Sequence, residues 1–191
     1  LNQTSTATGR LSSSNPNLQN IPVRGDMGRR MRTCFTAGPG MKLISADYSQ
    51  VELRVLAHYS QDPTLVSAFR NGEDIHTRTA ALLYDVDPSE IGPDERRKAK
   101  TINFGLIYGM GPRKLAQDLA IPMTEAKMFI ERYFARFAHI KEFFDGVEES
   151  ARELGYVTTL SGRRRPLPDM RSMSGQARAL AERQAVNTLI Q

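Results

Sequence analysis

Four side chains at a constant spacing of four carry the sharpest chemical pattern in the sequence: Arg96, Lys100, Phe104 and Tyr108. On a helix each step of four advances by about 40°, so all four fall within a sector of about 120°. One face then presents two cations near its N-terminal end and two aromatic rings beyond them. Cations beside the positive helix start suit phosphates, and rings suit a base or sugar. Gly105 and Gly109 stand in the same stretch. Each costs about 1 kcal/mol against Ala within a helix, so close approach by another backbone or a ligand would be the compensation. A second reading fits the same spacing: a solvated basic turn followed by a core face with Phe104, Ile107 and Tyr108 buried. Spacing alone leaves both open.

The pattern predicts that this face lies on a long helix capped by Asp94 and running to about Tyr108. Before it, the apolar run Lys42-Leu43-Ile44-Ser45-Ala46 reads as a short buried strand ending at Asp47. Ser49 and Glu52 have capping-box spacing and predict a helix whose face is Val51, Val55, Leu56 and Tyr59. Further helices are predicted over Thr64 to Arg70, Asp74 to Tyr84, Lys114 to Leu119, Thr124 to Phe137 and His139 to Leu154, the last stopped by Gly155. Tyr156 to Leu160 reads as a strand that turns at Ser161-Gly162 into a short hairpin, and a final helix begins near Ser174. Residues from Thr4 to Arg24 are crowded with Ser, Asn, Thr, Gly and Pro and favour turns. The chain is therefore predominantly helical α+β, with a little sheet at its edges. Its last residues read as helix without a stop signal and no initiator Met is present, so both ends are expected to be cuts through a larger protein.

Composition narrows the function classes. The 191 residues are 40% hydrophobic and 25% charged, as in ordinary globular proteins. No run approaches the ~20 apolar residues of a membrane helix, and no export signal opens the chain. A single cysteine, Cys34, excludes an intrachain disulfide and suits a reducing compartment. The net charge of +5 suits a polyanionic partner.

The segment RRKAKTINFGLIYGM is similar to the fingers-helix motif of family A DNA polymerases, and LISADYSQVELRVLAH resembles their first palm motif. TGRLSSSNPNLQNIPVR and GYVTTLSGRRRPLPD also resemble segments of bacterial DNA polymerase I, and the four occur in the family's order. The resemblance covers nearly the whole chain. It implies the fingers and part of the palm of a right-hand polymerase: residues 1–52 in the palm, 53–175 as fingers, and 176–191 as a helix returning to the palm.

The implied activity is template-directed DNA synthesis, nucleotidyl transfer from a dNTP to a primer 3′-hydroxyl using two Mg²⁺ ions. Asp47 matches the first metal-binding aspartate, and the Tyr48 backbone carbonyl would complete that metal's protein ligands. Gln50 and Glu52 belong to the nucleotide side of the same motif, with Glu52 as a steric gate against a ribose 2′-hydroxyl. Arg96 and Lys100 correspond to residues gripping the triphosphate, and Lys100 also to one aiding protonation of the leaving pyrophosphate. Phe104 matches the residue near the sugar, and Tyr108 the ring stacking at the templating position. His76, otherwise a helix-surface histidine, and Arg24 match residues on the triphosphate. Arg10 matches a reader of minor-groove acceptors, where base pairs look alike. Arg183, Asn187 and Gln191 match contacts to template and primer.

Arg163, Arg164 and Arg165 admit either a phosphate-backbone patch or a solvated hairpin. The Phe and Met residues of Met128 to Phe144 read as fingers core. The implied partners are primer-template DNA and dNTPs, with no membrane and a monomeric complete enzyme in the bacterial cytoplasm, at the nucleoid. The family's second palm aspartate belongs to a His-Asp motif, and His58, His76 and His139 are followed by Tyr59, Thr77 and Ile140 instead. One carboxylate cannot hold two metal ions in register, so this stretch by itself is expected to be inactive. A single-subunit RNA polymerase shares the helix pattern but lacks a bulky gate and carries Tyr at the position of Phe104. A non-enzymatic DNA-binding module would need only the positive charge. In a single-nucleotide incorporation assay, Phe104→Tyr is expected to ease dideoxynucleotide use; an unaltered preference would count against the assignment of Phe104.

Overall fold

The structure, a computed structural model, describes residues 1–22 and 25–191. Two compact units result, Leu1–Ser49 and Gln50–Gln191. In the first, Asn2 and Ser12 form an isolated antiparallel bridge. The intervening turn is tied by the Thr6 hydroxyl donating to the Arg10 carbonyl at 2.6 Å. A short 3₁₀ turn at Leu18–Asn20 is capped by the Asn17 side chain. Helix α1, Gly25–Arg32, follows; it carries Arg29, Arg30 and Arg32 in its last turn.

The strand predicted over 42–46 does not form. Leu43 is 66% exposed and Ile44 91%, and the segment through Ser49 has no regular structure. A strand needs a neighbour to satisfy its N–H and C=O groups, and among the described residues of this unit no partner strand exists. Asp47 thus lies on an exposed irregular segment, not at the end of a buried strand.

The second unit is helical: α2 (Val51–Ser60), α3 (Pro63–Arg70), α4 (Ile75–Tyr84), α5 (Pro93–Ile107), α6 (Pro112–Leu119), α7 (Met123–Arg136), α8 (Ala138–Leu154) and α9 (Gly175–Ile190). Local chemistry explains most starts. The Asp62 carboxylate accepts from the Thr64 and Leu65 amides, and Pro63 supplies a preset first turn to α3. Asp74 does the same for α4 at His76 and Thr77. Two expected caps move. Helix α2 starts after Gln50 in the left-handed region, φ 54°, in place of Ser49. Helix α5 starts after Gly92 with Pro93 in its first turn, and Asp94 pairs with Arg97 at 2.9 Å.

The buried face of α2 is Leu53, Leu56, Ala57 and Ser60, rotated from the predicted one, and Val51 is exposed. Its leucines share a core with Leu65 and Ala68 of α3, Ile75 and Leu83 of α4, and Ile102 and Leu106 of α5. Aromatic edges extend that core. Tyr133 meets Phe137 at a centroid distance of 4.8 Å, and Tyr84 meets Phe129 at 5.4 Å. Phe129 and Phe137 are buried as expected of core, whereas Met128 is exposed.

Gly155 stops α8 at φ 78°. Strands β1 (Tyr156–Thr158) and β2 (Arg164–Pro166) then pair antiparallel, Val157 opposite Arg165. Arg163 is exposed, Arg164 lies over the Tyr156 ring and Arg165 donates to the Thr188 hydroxyl of α9. The fully buried cap Asp62 makes a stability test. Asp62→Ala is expected to cost about 1–2 kcal/mol, read as a lower midpoint in chemical denaturation.

Candidate functional site

Helix α4 packs along α5 more extensively than any other described pair of helices, and their shared seam holds the candidate site. Along α5 the predicted stripe is present: Arg96 and Lys100 are exposed, Phe104 and Tyr108 half-buried. Ile102, Leu106 and Ile107 fill the core side. Both readings of the sequence are therefore partly realised, because the cations are solvated while the rings are only half covered.

Arg96 does not hang free. Its Nη2 donates to Asp74 Oδ2 at 2.6 Å and its Nε to the same oxygen at 3.3 Å. Asp74 Oδ1 meanwhile caps α4 through the His76 and Thr77 amides. One carboxylate thus orders the start of α4 and the head of the stripe together. Burial opposes its ionisation, but the Arg96 bond and charge and the Thr77 amide together hold its pKa down at about 2. Asp74 stands 22 residues from Arg96 in sequence, so no local pattern reveals the pair.

His76 does not lie on the helix surface as its spacing suggests: the residue is 2% exposed. The helix α4 turn that begins at Asp74 points the ring into the seam, 5.6 Å from the Phe104 ring. There the Asn103 amide nitrogen lies 3.1 Å from His76 Nδ1. Burial, and less strongly the nearby Arg96 and Lys100 charges, push its pKa down to about 4 against the opposing pull of Asp74. The imidazole is neutral at pH 7. The spacing of the stripe does not reveal Asn103 and Thr79 as site residues, although a mid-helix Asn is an unfavourable choice that signals a specific bond.

At the far end of α5 the Tyr108 hydroxyl donates to Glu52 Oε2 from the first turn of α2. Gln50, half-buried, precedes that turn. The two glycines are filled from within. A Cβ on Gly105 would lie 2.9 Å from Met110 Sδ, and one on Gly109, at φ +71°, 2.5 Å from Arg183 Cγ of α9. Gly109 lies beyond the helix end, where a left-handed residue closes α5. Arg183 is exposed beside that closure, and Asn187, one turn on, keeps a buried Oδ1 without a partner. Gln191 ends α9, exposed.

In the first unit, Arg10 is exposed and Asp47 and Tyr48 stand on the irregular segment, Tyr48 81% exposed. Arg24 lies outside the described residues. A carboxylate and a backbone carbonyl are hard oxygen donors that fit a divalent cation of the Mg²⁺ kind. They form a partial set, and among the described residues no cluster of three His, Cys, Asp or Glu side chains could hold a metal. No described helix is long and apolar enough to cross a membrane.

Cations, a neutral imidazole and half-covered rings line one helical seam, a set of groups whose chemistry suits a ligand bearing both phosphate and ring. The sequence profile of DNA polymerase family A matches residues 1–191, and the chain belongs to that family. It is 53% identical over 190 residues to the thermostable DNA polymerase I of Thermus filiformis, and 50% identical over 191 residues to DNA polymerase I of Geobacillus stearothermophilus. All of this chain is matched in both, against 23% and 22% of those proteins' lengths, so it spans under a quarter of each. Among solved structures, the POL domain of Pol1 from M. smegmatis, in complex with DNA primer-template and dNTP, superposes with a TM-score of 0.90 at 45% identity. That match covers 99% of this chain and 34% of the other. The predominantly helical α+β class is therefore the family's.

The buried neutral His76 has a consequence for stability. A histidine with a depressed folded-state pKa leaves stability intact above its ordinary value of about 6.5 and erodes it as pH falls toward the folded value. Stability is expected to fall by at most about 1.4 kcal/mol per pH unit from this group across that window. His76→Gln should flatten the fall, checked by urea midpoints at pH 7 and pH 5. Asp74 does not confuse the window, since its depressed pKa removes stability only below the usual carboxylate range.

Proposed function

We propose that this chain is the nucleotide-gripping part of a DNA-directed DNA polymerase, which transfers a nucleotidyl group from a dNTP to a primer 3′-hydroxyl. The observation that carries the reading is the α4–α5 seam in a chain of family A: Arg96, Lys100, Phe104 and Tyr108 in line, with His76 beside them. Residues 1–52 are assigned to the palm, 53–175 to the fingers and 176–191 to a helix returning to the palm. Primer-template DNA and dNTPs are the partners, as in the Pol1 complex. The complete enzyme is proposed to act as a monomer in the bacterial cytoplasm, at the nucleoid.

Each side chain has a physical task. Arg96, steadied along one edge by Asp74, keeps further N–H groups for the triphosphate. Lys100, one turn on, brings a mobile charge to the leaving pyrophosphate and can supply its proton. His76 and Arg24 add donors on the triphosphate, and Phe104 packs against the sugar. Glu52 is held by the Tyr108 hydroxyl, so the gate against a 2′-hydroxyl is built from two helices, with Gln50 beside it. Asp47 and the Tyr48 carbonyl would hold divalent metal, proposed as Mg²⁺. Such ions activate the 3′-hydroxyl and neutralise the triphosphate when bound. Tyr108 is assigned to the templating position, Arg10 to the minor groove, and Arg183, Asn187 and Gln191 to template and primer.

Primer extension with dNTPs against rNTPs tests the reading. In the complete polymerase, Glu52→Ala is expected to relax discrimination against rNTPs, and Tyr108→Phe, which deletes only the anchoring hydroxyl, to relax it less. An unchanged dNTP-to-rNTP ratio in Glu52→Ala would remove the gate role. Extension that prefers rNTPs in the unaltered enzyme would replace the DNA polymerase assignment with an RNA polymerase one.

A further inference from the structure

The seam between α4 and α5 contains a closed polar trio that nucleotide gripping alone does not demand. His76, Thr79 and Asn103 are 2%, 0% and 1% exposed. Buried polar groups are costly unless mutually satisfied. Here the hydrogens can be assigned from the bonds. The Thr79 hydroxyl has one proton, and it lies 2.8 Å from the Ile75 carbonyl, the natural acceptor within α4. Its oxygen is then an acceptor; the Asn103 amide nitrogen meets it at 3.0 Å, nearer than the amide oxygen at 3.2 Å, which has no hydrogen to give. With its nitrogen on that side, Asn103 donates its other hydrogen to His76 Nδ1 at 3.1 Å. A nitrogen that accepts carries no proton, so the neutral ring has its hydrogen on Nε2.

We propose that Asn103, anchored by Thr79, is a positioning residue that fixes His76 in the Nε2–H tautomer, so that a neutral imidazole offers a hydrogen-bond donor to triphosphate oxygens. The proposal rests on the reading of His76 as a triphosphate contact. The opposite tautomer would present a lone pair to an anion and repel it. The charged groups facing His76 are Asp74 from the start of α4 and Arg96 and Lys100 from α5. They leave the ring neutral, in keeping with its burial, so tautomer and not charge decides whether it donates. Orientation of a functional imidazole through its other nitrogen is a general device.

The test uses the complete polymerase and reads KM for a dNTP against pH. In Asn103→Asp a carboxylate replaces the amide donor. It captures a proton on Nδ1 and raises the histidine pKa toward neutrality. Below that pKa the ring still donates through Nε2. Above it the remaining proton stays on Nδ1 and the donor is lost. The ratio of variant to parent KM is therefore expected to climb as pH rises from about 6 to 8, and to lose that slope when His76→Ala is added. Thr79→Val removes the acceptor that orients the amide while nearly preserving shape. It is expected to raise KM about fivefold with kcat unchanged, and to add nothing to His76→Ala; it decides the question if Asn103→Asp fails to fold. A flat ratio, or for an unfolded Asn103→Asp an unaltered Thr79→Val, overturns the tautomer assignment alone when His76→Ala still raises KM. An unchanged KM in His76→Ala overturns the triphosphate reading with it.

Discussion

The organisation of the second unit depends on burying His76, Thr79 and Asn103 between α4 and α5, each within hydrogen-bond distance of another of the three. Apolar residues on either side, Ile75 and Leu83 from one helix and Ile102 and Leu106 from the other, draw the helices together. That closure strips water from His76, Thr79 and Asn103, which must then satisfy one another. The same seam fixes the rotation of α5, and hence which face carries its cations and rings.

Charge is arranged around that seam in layers. At the solvent edge, Asp74 and Arg96 are both partly exposed, so their pair contributes order more than net stability. One step inward, desolvation keeps His76 neutral beside three charged groups. In the proposed role, a neutral donor among cations would hold an anion by direction, whereas Arg96 and Lys100 would hold it by charge. At the other end of α5, Tyr108 and Glu52 tie the helix end to the start of α2, and Gly109 leaves room for Arg183 where any side chain would collide.

Much of the local structure was legible in the sequence because it is local. Asp74, Ser174 and Gly155 mark helix boundaries through bonds to neighbours two to four residues away. The misreadings share a different origin. A five-residue apolar run at Lys42–Ala46 suggests a strand, but strand formation requires a partner that sequence spacing does not supply. Val51 and Val55 of α2 are apolar and suggest its inner face, yet burial is decided by which neighbours arrive, and these cover Leu53 and Leu56.

The sequence by itself determined the family, through four ordered motifs, and the line of Arg96, Lys100, Phe104 and Tyr108, through a helical period that any helix must obey. It also supplied the residue types whose hard oxygens, cations and rings suit metal, phosphate and nucleoside. Only the tertiary structure decided that His76 is buried, that Asp74 grips Arg96 and that Asn103 reaches Nδ1. Those contacts join positions 22 and 27 residues apart. Hydrogen-bond direction and desolvation depend on which surfaces meet, and no spacing along the chain encodes that.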